Sequence, residues 1–223
     1  MPDTLPDNPY TNDRDDREAA RMMDHITKTV FAPIYPVMAG QIASIHGITT
    51  GTCIDLGSGP AALSISLAKV TDLLIHAVDK SPHSHAIACA NIREAGLEHR
   101  ITTVQSDVCT LPFENDFADL IVSRGSMFFW EDLTGAFNEI YRVLAPGGKT
   151  HIGAGFGNAE IKNRIFRQMA EKNDQWAEKV RQRRSPENTR RILSALDCSD
   201  AWNYTLTRTE IGFWIHIQKD TPS

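Results

Sequence analysis

Cys53-Ile54-Asp55-Leu56-Gly57-Ser58-Gly59-Pro60-Ala61 reads as a strand entering a glycine turn, and Ala62 to Lys69 continues as a helix. That order builds a backbone cradle. Glycine lets the chain turn where a Cβ would obstruct, and lets it approach a nucleotide-like ligand closely. The helix N-terminus brings unpaired N–H groups to the same place. Gly57-x-Gly59-x-x-Ala62 also satisfies the loose dinucleotide fingerprint, so the turn alone does not select its ligand.

Working outward, strands and helices alternate. Leu73 to Val78 reads as a second strand, Pro82 to Ala95 as a helix closed by Gly96, and Ile101 to Gln105 and Leu120 to Ser123 as further strands. Leu133, Ala136, Phe137, Ile140, Tyr141 and Leu144 share one helical face that Pro146-Gly147-Gly148 terminates, before a fifth strand over Lys149 to Gly153. After a long polar helical region, Trp202 to Thr207 and Ile211 to Gln218 form an antiparallel pair. Repeated βα units imply right-handed crossovers and ligands at the carboxyl ends of the strands.

Upstream, Met1 to Asp16 is rich in Pro, Asp and Asn and has little to bury, so it is expected to be mobile. Ala19, Met23, Ile26 and Val30 repeat at helical spacing, the prolines of Phe31-Ala-Pro-Ile-Tyr35-Pro break the helix, and a second helix covers about Val37 to His46. The division expected is an N-terminal extension and helical lid over residues 1–46 and a ligand-binding domain over 47–223.

A chain of 223 residues with 41% hydrophobic and 23% charged residues has the make-up of a globular protein. A net charge of −5 gives no electrostatic case for nucleic acid or an anionic membrane. Arg181, Arg183, Arg184, Arg190 and Arg191 lie among polar residues and read as a solvated helix face. Cys53, Cys89, Cys109 and Cys198 are scattered, with no CxxC pair, which fits a reducing compartment. Neither a signal peptide nor a spanning apolar run is visible, so a cytoplasmic location is expected.

Three acids narrow the ligand. Asp55 sets a carboxylate beside the turn, where it would repel a dinucleotide's pyrophosphate but not a sulfonium carrying an α-ammonium group. Asp79 ends the second strand at the distance suited to ribose hydroxyls; its other reading is a cap for the turn into Ser81-Pro82. Asp107 ends the third strand, where it either accepts from an adenine amino group or caps the following turn.

The order Asp55-Leu-Gly57-Ser-Gly59, Asp79, Asp107-Val108, Asp119-Leu-Ile-Val-Ser123 and Tyr141-Arg-Val-Leu-Ala-Pro146-Gly147-Gly148 resembles the class I S-adenosylmethionine (SAM)-dependent methyltransferases. Within these it is similar to the type 11 small-molecule branch, which includes ubiquinone- and menaquinone-biosynthesis methyltransferases. The resemblance spans about Gly51 to Gly153 and departs from the family's GxGxG at Ala61, where a slightly altered turn is expected.

It implies a Rossmann-like α/β three-layer sandwich on a mostly parallel seven-stranded sheet with an antiparallel C-terminal strand. It also implies SAM as cofactor and S-adenosylhomocysteine as product. By the same resemblance Asp55, Gly57, Ser58, Gly59, Asp79, Lys80, Asp107, Val108, Ser123 and Arg124 surround the cofactor. Asp55 would lie beneath the methionine end, Asp79 at the ribose, Asp107 and Val108 at the adenine, and Arg124 either at the methionine carboxylate or in a surface ion pair.

Phe31, Tyr35, Ser126, Phe128, Phe129 and Trp130 are the candidates for an acceptor pocket, with packing as the alternative for the aromatics. Methyl transfer is an in-line displacement that gains most from alignment and exclusion of water, and a base is needed only for a protonated acceptor. His25, Tyr35 and Asp132 are the candidates for one. His83 and His85 read as polar residues at a helix start, and no metal is expected. The partner expected is a small-molecule acceptor, with no nucleic acid or membrane. A nicotinamide-dependent oxidoreductase and a non-catalytic SAM-binding protein remain the competing readings.

Overall fold

Each strand of the sheet carries side chains of alternate residues to opposite faces, and this alternation explains the layering. The computed structural model describes residues 13–172 and 175–221, with side chains from Asp16 onward. Five strands run parallel: β1 (Thr52–Leu56), β2 (Leu74–Asp79), β3 (Ile101–Gln105), β4 (Ala118–Arg124) and β5 (Leu144–Gly155). β6 (Tyr204–Arg208) and β7 (Gly212–Ile217) complete the order β3-β2-β1-β4-β5-β7-β6, with β7 antiparallel to both neighbours. The order reverses between β1 and β4, so a crevice opens at their carboxyl ends.

The helices are α1 (Asp13–Thr29), α2 (Ile34–His46), α3 (Ala62–Ala68), α4 (Pro82–Glu94), α5 (Leu133–Val143), α6 (Ala159–Lys172), α7 (Trp176–Arg183) and α8 (Pro186–Asp197). Cys53, Leu120 and Val122 face a core shared with Ile34, Met38 and Ile42 of α2 and Leu63 and Leu67 of α3. Ile54, Leu56 and Ile121 face the opposite core, with Phe137 and Ile140 of α5 and Leu196 of α8. The result is the expected three-layer α/β sandwich.

Caps set the helix ends. Ser81 and Ser185 each accept an N–H three residues on, ahead of Pro82 and Pro186 at the first helical position. Gly47 closes α2 in the left-handed region, at φ 68°. Three boundaries differ from the sequence reading. The second helix begins at Ile34 rather than Val37, because Pro36 sits in its first turn, where no N–H is needed. The fifth strand begins at Leu144, which already pairs with Ala118 before a register shift carries the chain through Pro146-Gly147-Gly148. Of the Met1–Asp16 segment expected to be mobile, residues 1–12 lie outside the described residues. Asp13 to Asp16 form the start of α1, and Asp16 is buried with its carboxylate accepting from the Ser81 hydroxyl at 2.7 Å.

α1 is fixed onto α4 by a polar cluster. Asn91 donates to Asp24 at 2.9 Å and to the Pro60 carbonyl of the glycine turn at 2.9 Å, while Lys28 donates to Asn91 at 2.7 Å. The N-terminal helix is therefore tied to the turn that defines the ligand crevice.

Candidate cofactor and acceptor site

The turn after β1 takes left-handed backbone at three positions, Gly57 (φ 64°), Gly59 (φ 51°) and Ala61 (φ 63°). Its fit is closest at Gly57, where a Cβ would lie 2.2 Å from the Ser126 Cβ. The Ser126 hydroxyl donates to the Leu56 carbonyl at 2.9 Å and meets the Ser123 hydroxyl at 2.6 Å, so the loop after β4 is bonded to the turn after β1. At Gly59 a Cβ would meet nothing within 4 Å, so this side of the turn opens to free space. Ala61 holds the left-handed conformation in place of the family's third glycine. Its methyl is fully buried, so Ala61→Gly exchanges relief of about 1 kcal/mol of strain for about 0.8 kcal/mol of lost burial. Thermal denaturation should show a near-neutral change, and S-adenosylhomocysteine affinity should be unaltered.

The acids take distinct places. Asp79 accepts from the Gly59 N–H at 2.8 Å and the Ser81 N–H at 2.9 Å. Each oxygen keeps a second lone pair, enough for a vicinal diol. Burial pushes its pKa upward, against those two hydrogen bonds, and the nearby Asp16 adds to the rise. Asp16 itself has one buried oxygen, Oδ1, without a hydrogen-bond partner, and the Ser58 hydroxyl is likewise buried and unpartnered. Asp107 is exposed and accepts from the Cys109 N–H at 2.9 Å, the turn-capping geometry. Val108 is half-buried against the second core, and Lys80 is exposed.

Asp55 lies on the same face of β1 as Cys53, directed at α3. It is 1% exposed and accepts from the Ser64 hydroxyl at 2.6 Å. Burial raises its pKa from 3.8 to about 7, opposed by the Ser64 hydrogen bonds and reinforced by Asp79. Between those values the folded chain keeps a proton that the unfolded chain has released. This contribution to stability is therefore full below the unfolded pKa and is lost as pH rises toward the folded one. Asp55→Asn should flatten that dependence: the variant's melting temperature, compared with wild type in a pH series, gains relative to wild type between pH 5 and 7.

At the carboxyl end of β4, Arg124 lies against two aromatic residues, Phe31 before α2 and Tyr35 within it. Its guanidinium lies 5.3 Å from the Phe31 ring centroid and 5.2 Å from that of Tyr35, and contacts the Tyr35 hydroxyl at 3.5 Å and the Gly155 carbonyl at 3.3 Å. The ring contacts are cation–π contacts, whereas the two readings held for it in sequence are the methionine carboxylate and a surface ion pair. Phe128 is half-buried on the second core, and Phe129 lies under Arg183, whose guanidinium is 4.7 Å from the ring centroid. Trp130 takes the packing alternative held for these aromatics, drawn into the core against Phe137, with centroids 6.4 Å apart.

Of the candidate bases, Tyr35 alone joins this group. His25 is exposed on α1, and Asp132 caps α5 by accepting the Gly135 N–H at 2.8 Å. Sequence reasoning missed Asp16 and α7. Trp176 packs on Phe31 and Phe156 with centroids 6.3 Å away in both cases, and Arg183 covers Phe129, so α7 bridges the aromatic residues flanking the site. Arg184 and Arg191 bond backbone carbonyls of the β6–β7 connection and of Trp130, so part of the basic cluster is structural rather than solvated.

A methyltransferase-domain family model matches residues 54–152, from β1 through β5. A solved structure from Methanococcus maripaludis, assigned to the S-adenosyl-L-methionine-dependent methyltransferases, is 49% identical, covers 99% of each chain and superposes with a TM-score of 0.91. The chain belongs to the class I SAM-dependent methyltransferases, in the type 11 branch. SAM is thus its cofactor, and the nicotinamide alternative falls.

Among curated relatives, the 2-methyl-6-phytyl-1,4-hydroquinone methyltransferase of Spinacia oleracea is 36% identical over 43% of this chain and 27% of its own length. The uncharacterized methyltransferase YdaC of Bacillus subtilis is 31% identical over 48% of this chain and 58% of its own. The aligned regions thus span between a quarter and three-fifths of these two relatives. The residues present fit the cofactor of this methyltransferase: open space at Gly59, an orphaned Ser58 hydroxyl and free lone pairs on Asp79 suit a ligand with a diol. No helix among the described residues is long and apolar enough to cross a membrane.

Proposed function

We propose that this methyltransferase transfers a methyl group from SAM to a small-molecule acceptor by in-line displacement, with Phe31, Tyr35, Arg124 and Phe129 enclosing the acceptor. The observation that carries the reading is the Arg124 cluster. Two aromatic rings, Phe31 from the connection between α1 and α2 and Tyr35 from α2, converge on a guanidinium beside the Ser126–Leu56 bond that closes the glycine turn. SAM supplies an electrophilic methyl on a cationic sulfur. The chain supplies alignment and exclusion of water.

Asp79 holds the ribose hydroxyls, the Ser58 hydroxyl and Gly59 N-terminal turn line the cofactor, and Val108 packs at the adenine with Asp107 beside it. Asp55 lies deeper and acts through Ser64 and α3, supporting the turn from below rather than presenting an open carboxylate. α1, α2 and α7 together form the roof over the acceptor.

Tyr35 is the group placed to receive or orient an acceptor proton. Tyr35→Phe should lower kcat by about 100-fold for a phenolic acceptor while leaving S-adenosylhomocysteine affinity unchanged. The deciding experiment is S-adenosylhomocysteine formation from labelled SAM across an acceptor panel that begins with hydroquinones, the class named for the spinach relative. Turnover with a small acceptor, lost in Arg124→Ala, supports the assignment. Transfer only to protein or nucleic acid overturns it.

A further inference from the structure

We propose that His46, His151 and His216 form a binding site for a divalent transition-metal ion, zinc foremost, separate from the cofactor crevice. His46 ends α2, just before the connection that leads into the amino end of β1. His151 lies on β5 and His216 on β7. The register that pairs Ile152 with Ile215 sets these two histidines opposite each other, on the face that α2 covers. One potential ligand atom from each residue lies within 4.8 Å of the other two.

Two observations point to a metal. The His46 Nε2 and His151 Nδ1 atoms are 3.2 Å apart. Two nitrogens bound tetrahedrally to zinc at ~2.0 Å stand about 3.3 Å apart, so the spacing of this hydrogen-bonded pair matches that of two zinc ligands. The His216 Nδ1 lies 3.3 Å from the Thr150 carbonyl. Donation to that carbonyl fixes the tautomer and leaves Nε2 with its lone pair, the outer-shell arrangement typical of a metal-bound histidine.

Ring packing of Trp214 on His151, at 4.2 Å between centroids, keeps the site sheltered.

An all-imidazole donor set suits zinc, copper, nickel or cobalt and not magnesium or calcium. The ring on β7 must close in by at most about 1.5 Å to complete tetrahedral spacing, with water as the fourth ligand. Lys149, which donates to the His46 carbonyl at 3.4 Å, sets a positive charge beside the site and weakens it relative to the same three rings without it. The ion would clamp the end of α2 to β5 and β7.

The test uses the full chain, free of any affinity tag and stripped by a chelator. Zinc is titrated in competition with a chromophoric chelator, and cobalt is followed by its visible absorption. The expected result is one ion per chain, the intense cobalt spectrum of a four-coordinate site, and a melting temperature raised by about 5 °C at ~100-fold excess over Kd. His216→Gln should weaken uptake by at least about 100-fold, and the double variant His83→Gln/His85→Gln should leave it unchanged. S-adenosylhomocysteine affinity reports whether each variant is folded. If His216→Gln does not fold, the wild-type cobalt spectrum decides: a weak six-coordinate spectrum, or no uptake, overturns the proposal. Equal uptake by a folded His216→Gln variant, or loss in the His83/His85 variant, overturns it too and leaves the trio as core packing.

Discussion

Asp79→Ala should weaken S-adenosylhomocysteine binding by about 100-fold or more in calorimetry, with a smaller loss of folding stability. Hydrogen bonds to a charged group contribute roughly 1.5–3 kcal/mol each, and the substitution removes two kinds at once. One is whatever the carboxylate makes to a ribose diol. The other is internal: the Gly59 and Ser81 N–H groups both lose their acceptor, at 2.8 and 2.9 Å, so the cofactor turn and the start of α4 loosen together.

Asp79→Asn separates the two contributions. The amide oxygen can still accept one N–H, whereas the amide nitrogen cannot accept the other, so the variant should fall between wild type and alanine. Asp16 makes a further distinction. Its charge raises the pKa of Asp79, one of its oxygens is unpartnered, and the other accepts from Ser81. Asp16→Asn should therefore reduce the charge repulsion on Asp79 without emptying the crevice. Equal affinity of wild type and Asp79→Ala would remove Asp79 from the cofactor site.

The parts of this site that follow local rules were readable from the chain. Gly57, Gly59 and Asp79 lie where a strand, a turn and a helix start must put them, and Ala61 occupies the left-handed position that its place in the turn demands. The parts that depend on packing across the fold were not. Phe128, Phe129 and Trp130 are adjacent in sequence and chemically alike, yet Phe137 on the next helix draws Trp130 inward while Arg183 covers Phe129.

Asp132 had an unread local signal, because an acid three residues before Gly135 at a helix start is an N-cap pattern. α7 had almost none. Its polar composition describes the outward face, and Trp176 reveals its purpose only once Phe31 and Phe156 come into contact with it. The histidine trio gives no spacing signal at all, since sheet register, not sequence distance, brings His151 and His216 side by side.

Gly57→Ala and Gly59→Ala should separate folding from binding at the same turn. Both force alanine into left-handed backbone, which costs about 1–2 kcal/mol. At Gly57 the new methyl also meets the Ser126 Cβ at 2.2 Å and its hydroxyl oxygen at 2.5 Å. Ser126 cannot simply rotate away, because its Cβ is itself in the overlap and its hydroxyl is held by Leu56 and Ser123.

Relieving the clash must part the loop after β4 from the turn after β1, so the total loss should reach about 3–4 kcal/mol. For a chain of this size that is roughly a 10 °C fall in melting temperature. At Gly59 the same methyl meets nothing within 4 Å, so only the backbone strain remains and the melting temperature should drop by a few degrees. Cofactor affinity should nonetheless fall sharply, because the methyl fills the space at the turn where a nucleoside must approach the backbone. Thermal denaturation and calorimetry on the same two variants read both quantities. If Gly59→Ala bound S-adenosylhomocysteine as tightly as wild type, the open side of this turn would not be where the cofactor lies.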